Sequence, residues 1–306
     1  MRAAATIAAF MRTGLVYAAL AFSTWGLFPL YFHLIAGVSP LEVVLHRSAW
    51  SLLFVLGVLA WQRRWAWLGQ TLRQPRRLAL FTASALLLSC NWMVYVLAVQ
   101  TGHVVEASLG YFINPLVNVL LGVVALRERL RRVQWVAVAL AAAGVLWLTW
   151  QAGRPPWIAL ALAFSFGLYG LIRKTAPLGA LEGLALENLL LAPLVLPALA
   201  WWTTTHGGVL LHGPASQIGW LMLGGPLTAL PLLWFAGAAR RLPLATLGLV
   251  QYLSPSLQLL LGVAVFGEAF DSHRLVGFAL IWSALLLVSA EAFGLRPQRL
   301  AARPLP

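Results

Sequence analysis

The stretch VEASLGYFINPLVNVLLGVVALRE at residues 105–128 contains the features that decide the fold. It supplies the roughly 20 mostly apolar residues that one helical crossing of a bilayer requires. A related stretch, ATLGLVQYLSPSLQLLLGVAVFGE, occupies residues 245–268, a constant 140 positions further on, with seven identities. The chain is therefore interpreted as a membrane-embedded unit that is used twice.

The composition of the whole chain agrees with a membrane protein. Of its 306 residues, 61% are hydrophobic and 9% are charged, and the mean hydropathy is +0.85. Soluble domains carry about 25% charged residues, so water-soluble folding is excluded. A single cysteine, Cys90, cannot form an intrachain disulfide framework, and the histidines lack metal-ligand spacing, so neither a metal nor another cofactor is expected.

Ten apolar runs long enough to cross a bilayer predict an all-α integral membrane protein. The first run extends over 14–35, longer than the roughly 7–15 apolar residues of a signal peptide, and is interpreted as a retained span. The predicted spans are residues 14–34, 41–61, 78–99, 104–126, 133–150, 156–172, 180–202, 217–239, 243–266 and 275–293.

The positive charges predict the orientation of these spans. Ten spans place both termini on one side, together with 18 of the 21 cations, while Arg154 and Arg274 fall opposite and Arg47 falls within a span. By the positive-inside rule, both termini are cytoplasmic. Nucleic-acid binding is excluded, because it requires a contiguous basic face. The cytoplasmic cations are Arg2, Arg12, Arg63, Arg64, Arg73, Arg76, Arg77, Arg127, Arg129, Arg131, Arg132, Arg173, Lys174, Arg240, Arg241, Arg296, Arg299 and Arg303.

The repeat divides the chain into two five-helix units, residues 1–150 and 151–306. Because five is odd, the second unit enters the membrane inverted relative to the first. Inverted repeats are typical of secondary transporters, which bind their solute near the midplane between the copies. Duplication for helix packing alone is the alternative.

The fourth and ninth spans carry the clearest candidates for a solute site. Asn114 and Asn118 form a polar stripe, and Ser254 and Gln258 mirror it in the second unit. Proline removes a helical hydrogen bond, so mirrored helix breaks are expected at Pro115 and Pro255. Small residues there would alternatively serve close helix packing. The other predicted cavity-lining residues are Trp25, Asn91, Trp92, Tyr95, Tyr111, Tyr169, Gln251 and Tyr252.

Five ionisable side chains inside spans are candidates for gating or coupling, since such groups are costly in lipid. Glu42 and His46 stand four residues apart on one helical face, as a polar lining or as an interfacial cluster. Arg47 and Glu187 are repeat mates, and we hypothesise that they pair. Glu106 is either a proton-coupling carboxylate or a partner of the helix dipole.

Several motifs resemble those of the RarD family, in the EamA branch of the drug/metabolite transporter superfamily. They include GHVVEASLGYFINPLVNVLLGV (102–123), HRSAW (46–50), AFSFGLYGLIRK (163–174) and LPLATLGLVQYLSPSLQ (242–258). The resemblance implies ten helices in two inverted repeats in the bacterial inner membrane. RarD members are named for chloramphenicol sensitivity, and related exporters handle amino acids. His33 and Gln100 depart from the family pattern, in which lysine and asparagine are usual.

The sequence thus predicts a secondary-active exporter of small organic solutes in the lipid bilayer. Alternating access would move a cavity formed by spans 1, 3, 4, 6, 8 and 9 between the two faces. Proton exchange or the solute gradient itself would supply the energy, since the chain lacks a nucleotide-binding loop. The alternatives are a passive channel or a lipid scramblase. A membrane-embedded enzyme lacks a recognisable catalytic motif, so the chain is not expected to be an enzyme.

Overall fold

The computed structural model describes residues 2–101, 103–152, 156–267 and 272–293, and every regular element in these ranges is a helix. The longer helices pack against one another as a bundle. The elements are α1 (Arg2–Gly26), α2 (Phe28–Leu34), α3 (Pro40–Gln62), α4 (Ala66–Leu72), α5 (Pro75–Gln100), α6 (Val104–Val124), α7 (Arg132–Ala152), α8 (Trp157–Thr175), α9 (Ala180–His206), α10 (Val209–His212), α11 (Ala215–Ala239), α12 (Leu244–Gln251), α13 (Leu253–Ala264) and α14 (Ser272–Phe293).

Nine segments among the described residues are long and apolar enough to cross a membrane, which confirms an all-helical membrane protein. Two of them combine neighbouring helices, α1 with α2 and α12 with α13. The tenth predicted span falls within α14, whose apolar section Leu275–Leu287 is shorter. The nine segments are Ala9–Leu34, Pro40–Gln62, Pro75–Val99, Glu106–Val124, Arg132–Gln151, Trp157–Thr175, Ala180–His206, Ala215–Ala239 and Leu244–Ala264.

Two of the spans are interrupted. Only one of these interruptions, the one near Pro255, was predicted from the mirrored prolines. The second unit breaks at Tyr252, three residues before Pro255, and the first breaks at Leu27, two residues before Pro29. The expected break at Pro115 is absent, because α6 continues through this residue. A proline removes a single backbone donor, and the flanking hydrogen bonds together with packing against α8 and α12 hold α6 continuous.

Helix contacts come in matching pairs. Replacing each helix of one contact by the helix at the equivalent position in the other half of the chain gives a second contact that is also present. The packing of α6 on α8 matches that of α13 on α1, and the packing of α3 on α11 matches that of α9 on α5. Helices α3 and α9 run antiparallel, because Glu42 near the start of α3 bonds Val209, just beyond the end of α9. Helices α3 and α9, at equivalent positions in the two halves of the chain, therefore run in opposite directions.

Two adjacent glycines allow α11 to approach α3 closely. Gly224 and Gly225 are buried, and a Cβ on Gly225 would collide with the backbone of Trp50. A Cβ on Gly224 would lie 3.1 Å from Cγ of Arg47. The glycine pair therefore serves packing within the chain, one of the two roles that such small residues play in membrane helices.

The bundle has two chemically different ends. The ends of α3, α8 and α11 carry six cations near the start of α9, and we call this the arginine-rich end. The helices α3, α6 and α8 begin at the other end, which we call the opposite end. The arginine-rich end contains Arg63, Arg64, Arg173, Lys174, Arg240 and Arg241.

Candidate functional site

A cavity of about 200 Å³ lies between the two halves of the bundle. Its wall comes from α1 and α2, α3, α5, α6, α8, α11, and α12 with α13. These are the helices of the six predicted spans, with α3 as an addition. The wall residues of α2, α3, α5, α6 and α8 belong to the parts of those helices nearer the opposite end.

Nine of the twelve predicted lining residues lie in the cavity wall, and three lie behind it. All three are fully buried: Asn118 bonds Gln251, the ring of Tyr169 packs near that of Phe166, and the hydroxyl of Tyr252 donates to the carbonyl of Phe112. Among the two predicted proline positions, Pro255 is in the wall and Pro115 is not. The nine wall residues are Trp25, Asn91, Trp92, Tyr95, Tyr111, Asn114, Gln251, Ser254 and Gln258.

Three amide side chains form a hydrogen-bonded network where α6 crosses α12. Gln251 Nε2 donates to Asn114 Oδ1 at 2.8 Å, and Asn118 Nδ2 donates to Gln251 Oε1 at 2.8 Å. Asn114 Nδ2 in turn donates to the carbonyl of Ala163 in α8, also at 2.8 Å. Because buried amides are costly without partners, this network fixes the registration of the two halves at the cavity.

Aromatic rings form the apolar part of the wall. The rings of Phe22, Trp25 and Phe166 pack on one another, with centroids 5.7 Å apart for the first pair and 5.6 Å for the second. Phe235 lies behind them, 5.1 Å from the Phe166 ring. An apolar body can therefore lie against this cluster with the amide network beside it.

Several wall residues on the first span were not predicted from the sequence. Phe22, Phe28 and Phe32 line the cavity together with Trp25. Their spacing of three and four residues places them on one face of a helix, a signal that was present in the sequence. Thr228 of α11 was also missed, and it has no motif that would identify it.

Arg47 is the one charged residue in the described cavity wall. Its Nε donates to Oγ1 of Thr228 at 2.8 Å. Its guanidinium lies over the rings of Phe28, Phe32 and Trp92, at 5.1, 5.8 and 5.8 Å from their centroids. The cation is therefore held in place by a hydroxyl and three aromatic faces.

The hypothesised pairing of Arg47 with Glu187 is wrong. Glu187 is buried and accepts from Ser84 Oγ at 2.6 Å, while Nη1 of Arg173 lies 3.4 Å from the same carboxylate oxygen. Arg47 and Glu187 each lie near the start of a helix, and α3 and α9 are antiparallel. Residues at equivalent positions of these two helices therefore lie toward opposite ends of the bundle, which keeps the charges of Arg47 and Glu187 apart.

The remaining candidates, Glu42, His46 and Glu106, lie outside the cavity wall, and the two carboxylates among them accept from backbone N–H groups. Glu42 is buried, accepts from the backbone N–H of Val209 at 2.6 Å, and lies 3.7 Å from Nε2 of His46. Glu106 accepts from the N–H of Ile158, in the first turn of α8, at 2.8 Å. That arrangement corresponds to the helix-dipole alternative for Glu106.

Polar contacts join the ends of helices at the arginine-rich end, most of them within residues 151–306 and one between the two halves. Arg173 Nη2 donates to the carbonyl of Ala180 at 2.8 Å, and Lys174 Nζ donates to that of Ala239 at 3.1 Å. Arg240 donates to the carbonyl of Ala176 at 3.1 Å. Arg64 forms an ion pair with Glu182. Buried apolar side chains fill the space between the cavity and these charges, from Phe22 near the cavity to Leu242 near the charges.

The cavity, the apolar spans and the two corresponding halves define a multi-pass transporter fold, and comparison with known proteins agrees. Residues 12–150 match the EamA-like transporter family. The chain is 46% identical over 283 residues to an uncharacterized transporter of Pseudomonas aeruginosa, covering 92% of this chain and 95% of the relative. The chain therefore belongs to the EamA-like transporter family.

Its relatives place it more narrowly with the RarD proteins. It is 42% identical to Protein RarD of Escherichia coli over 284 residues, covering 92% of this chain and 95% of the relative. It is 34% identical over 271 residues to the chloramphenicol-sensitive protein RarD of Pseudomonas aeruginosa, covering 86% and 89% of the two chains. These names confirm the resemblance and the expectation of a transporter rather than an enzyme.

A solved crystal structure shares the fold. It matches with a TM-score of 0.69 and 19% identity, covering 92% of this chain and 98% of the other. Of the two departures from the RarD pattern, His33 packs near the ring of Phe266, with centroids 5.6 Å apart, outside the cavity wall. The side chain of Gln100 lies outside the described part of the structure.

Proposed function

We propose that the protein is a secondary-active exporter of small organic solutes, amino-acid-like or amphenicol-like, that works by alternating access. The observation that carries the proposal is the asymmetry of the cavity. The wall residues of α3, α5, α6 and α8 lie nearer the opposite end of those helices, whereas packed rings and polar contacts lie between the cavity and the arginine-rich end. A transporter at rest in one of its two states has this arrangement.

Two inverted five-helix repeats, residues 1–150 and 151–306, would supply the second state. The corresponding helix contacts and the antiparallel α3 and α9 support this division. With ten spans and the positive-inside rule, both termini and the arginine-rich end face the cytoplasm of a bacterial inner membrane. The cavity then faces outward, and exchanging the roles of the two halves would open it inward.

The chemical class of solute is supported by the wall and by one relative. The wall combines aromatic rings with amide side chains, and a relative is named for chloramphenicol sensitivity. Energy would come from proton exchange or from the solute gradient. A passive channel or a lipid scramblase is the alternative function.

Counterflow in proteoliposomes tests the proposal against these alternatives. The full chain would be reconstituted, loaded with unlabelled solute, and offered labelled amino acids or chloramphenicol outside. Alternating access predicts that the internal solute accelerates entry of the labelled one. Flux without such acceleration indicates a channel, and movement of labelled lipid without solute exchange indicates a scramblase.

A pair of tryptophan substitutions controls for nonspecific damage. Ser108→Trp would fill the cavity, where Ser108 lines the wall, and should abolish exchange. Leu146→Trp adds the same side chain on the exposed surface of α7, where Leu146 is 69% exposed, and should leave exchange intact. Equal loss in both variants would argue against transport through this cavity.

A further inference from the structure

We propose that the solutes this cavity recognises are organic anions, each with an aromatic or apolar body and a carboxylate that binds Arg47. This inference rests on the proposed transport function and narrows its substrate class to carboxylates, so it retains amino-acid-like solutes and excludes amphenicol-like ones, which carry no carboxylate. It follows from the charge of the wall, the way in which Arg47 is held, and the surface beside it.

The charge of Arg47 is not neutralised by any carboxylate in the described part of the chain. A cation removed from water needs a partner, and a guanidinium has five N–H donors. One of them, on Nε, is used by Thr228. Glu42, the nearest carboxylate along α3, bonds Val209 and lies beside His46 instead. The two terminal amino groups of Arg47 therefore remain for a bound anion.

The guanidinium is also oriented before any solute arrives. Thr228 fixes Nε, and its own hydroxyl donates to the carbonyl of Gly224 at 2.7 Å. The rings of Phe28, Phe32 and Trp92 hold the plane of the cation without supplying a negative charge. A fixed planar fork suits bidentate recognition of a carboxylate, because less side-chain freedom is lost on binding.

The rest of the wall indicates the body of the solute. Phe22, Trp25 and Phe166 present an apolar aromatic surface, and Asn114 and Gln251 lie in the same wall. A volume of about 200 Å³ is below the usual range of drug-sized pockets, which favours a solute with a single ring system. An ammonium group without a carboxylate would be repelled by Arg47.

Three probes with the same ring and different charges test this inference on the purified full-length protein. Phenylacetate is an anion, phenylacetamide is neutral, and phenethylamine is a cation at neutral pH. Binding is measured by quenching of tryptophan fluorescence, to which Trp25 and Trp92 in the wall contribute, and by the shift in melting temperature. Phenylacetate should bind about ten- to a hundred-fold more tightly than phenylacetamide, and phenethylamine should bind most weakly.

Substitutions of Arg47 assign the preference to this residue. Arg47→Gln should reduce phenylacetate affinity to that of phenylacetamide. Arg47→Lys keeps the charge but loses the fork, so it should retain a weakened preference, which keeps the test decisive if the glutamine variant misfolds. Arg241→Gln is the matched control, because Arg241 also lies over two rings, those of Phe10 and Tyr17, outside the cavity.

The outcomes separate this inference from the transport function. Binding of phenylacetamide as tight as that of phenylacetate, or no phenylacetate binding, would overturn the inference, as would an unchanged preference in Arg47→Gln. If phenylacetate binds through Arg47 but is not exchanged in proteoliposomes, transport fails and anion recognition stands. If acid and amide are exchanged equally well, transport stands and anion recognition fails.

Discussion

The carboxylate of Glu128 accepts a hydrogen bond from the backbone N–H of Leu244, with Oε1 2.7 Å from the nitrogen. Its second oxygen accepts from the N–H of Ala245 at 3.0 Å, so a residue that follows α6 holds the first turn of α12. Lys174 Nζ lies 3.8 Å from Oε1. The first and second halves of the chain are thereby joined at the arginine-rich end.

Neutralising Glu128 should loosen this junction. Glu128→Gln removes a negative charge from the start of α12, at a cost of about 1 kcal/mol in unfolding free energy. Ala18 is fully buried in the core between the cavity and the arginine-rich end. If the junction keeps that end closed, a cysteine introduced at position 18 should become more reactive toward a maleimide. The variant is made in a Cys90→Ser background.

Glu106→Gln is the matched control for this change. Glu106 also accepts a backbone N–H at the start of a helix, but at the opposite end of the bundle. It should lower stability by a similar amount and leave the reactivity at position 18 unchanged. Equal reactivity in the two variants would show that Glu128 has no special role in closure.

The buried pair of Arg173 and Glu187 should be far more sensitive to single than to double substitution. Both side chains are at most 2% exposed. Removing one partner leaves an uncompensated buried charge, which costs about 3–5 kcal/mol, whereas an apolar replacement of both is close to neutral. We expect Arg173→Met to lower the melting temperature in detergent strongly and Arg173→Met/Glu187→Leu to recover most of the loss. A double variant no more stable than the single one would contradict this interpretation.

The amide network should couple the two halves measurably. Asn114→Ala leaves Gln251 Nε2 without its acceptor, and Gln251→Ala leaves Asn118 without one of its own. Polar contacts in membrane proteins contribute about 0.6 kcal/mol on average and up to about 1.7 kcal/mol. A double-mutant cycle on Asn114 and Gln251, read by thermal unfolding, should give a coupling energy in this range. Strict additivity would show that the network does not join α6 to α12.

A single methyl group should separate α6 from α12. A Cβ on Gly248 would lie 2.6 Å from the carbonyl oxygen of Pro115, a backbone atom that cannot move aside cheaply. Gly248→Ala should therefore reduce solute exchange and lower the melting temperature. Gly57→Ala is the control, because a Cβ there meets nothing within 4 Å, and alanine should stabilise α3 by about 0.5–1 kcal/mol. Equal losses in both variants would contradict the close approach.

The sequence predicted the spans well because each depends on local composition. A run of about 20 apolar residues has few alternatives in a bilayer, so nine predicted spans coincide with helices to within a few residues. The mirrored polar stripes led to the cavity for the same reason, since a polar side chain on an apolar helix needs a protected place. Of these stripes, Asn114, Ser254 and Gln258 lie in its wall, and Asn118 is buried behind it and bonds Asn114.

The partners of the charged residues could not be predicted from the sequence, because they depend on how distant helices meet. Arg173 was interpreted as a cytoplasmic loop cation, whereas the structure buries it against Glu187. Glu128 was not connected with Leu244, 116 residues away. A hydrogen bond to the backbone leaves no signature in the sequence. From the sequence alone, a carboxylate that accepts from backbone N–H groups at the start of a helix therefore cannot be told apart from a proton-coupling carboxylate.

Paired cysteine labelling tests whether the cavity is exposed to one side of the membrane at a time. In the Cys90→Ser background, Ser108→Cys lies in the cavity wall and Ala18→Cys in the buried core toward the arginine-rich end. With an impermeant maleimide applied to sealed vesicles of either orientation, we expect Ser108→Cys to react only from the opposite end. We also expect a condition that exposes Ala18→Cys from the arginine-rich end, such as Glu128→Gln, to slow labelling of Ser108→Cys. Simultaneous reaction of both positions, each unaffected by the other, would contradict alternating access and indicate a channel.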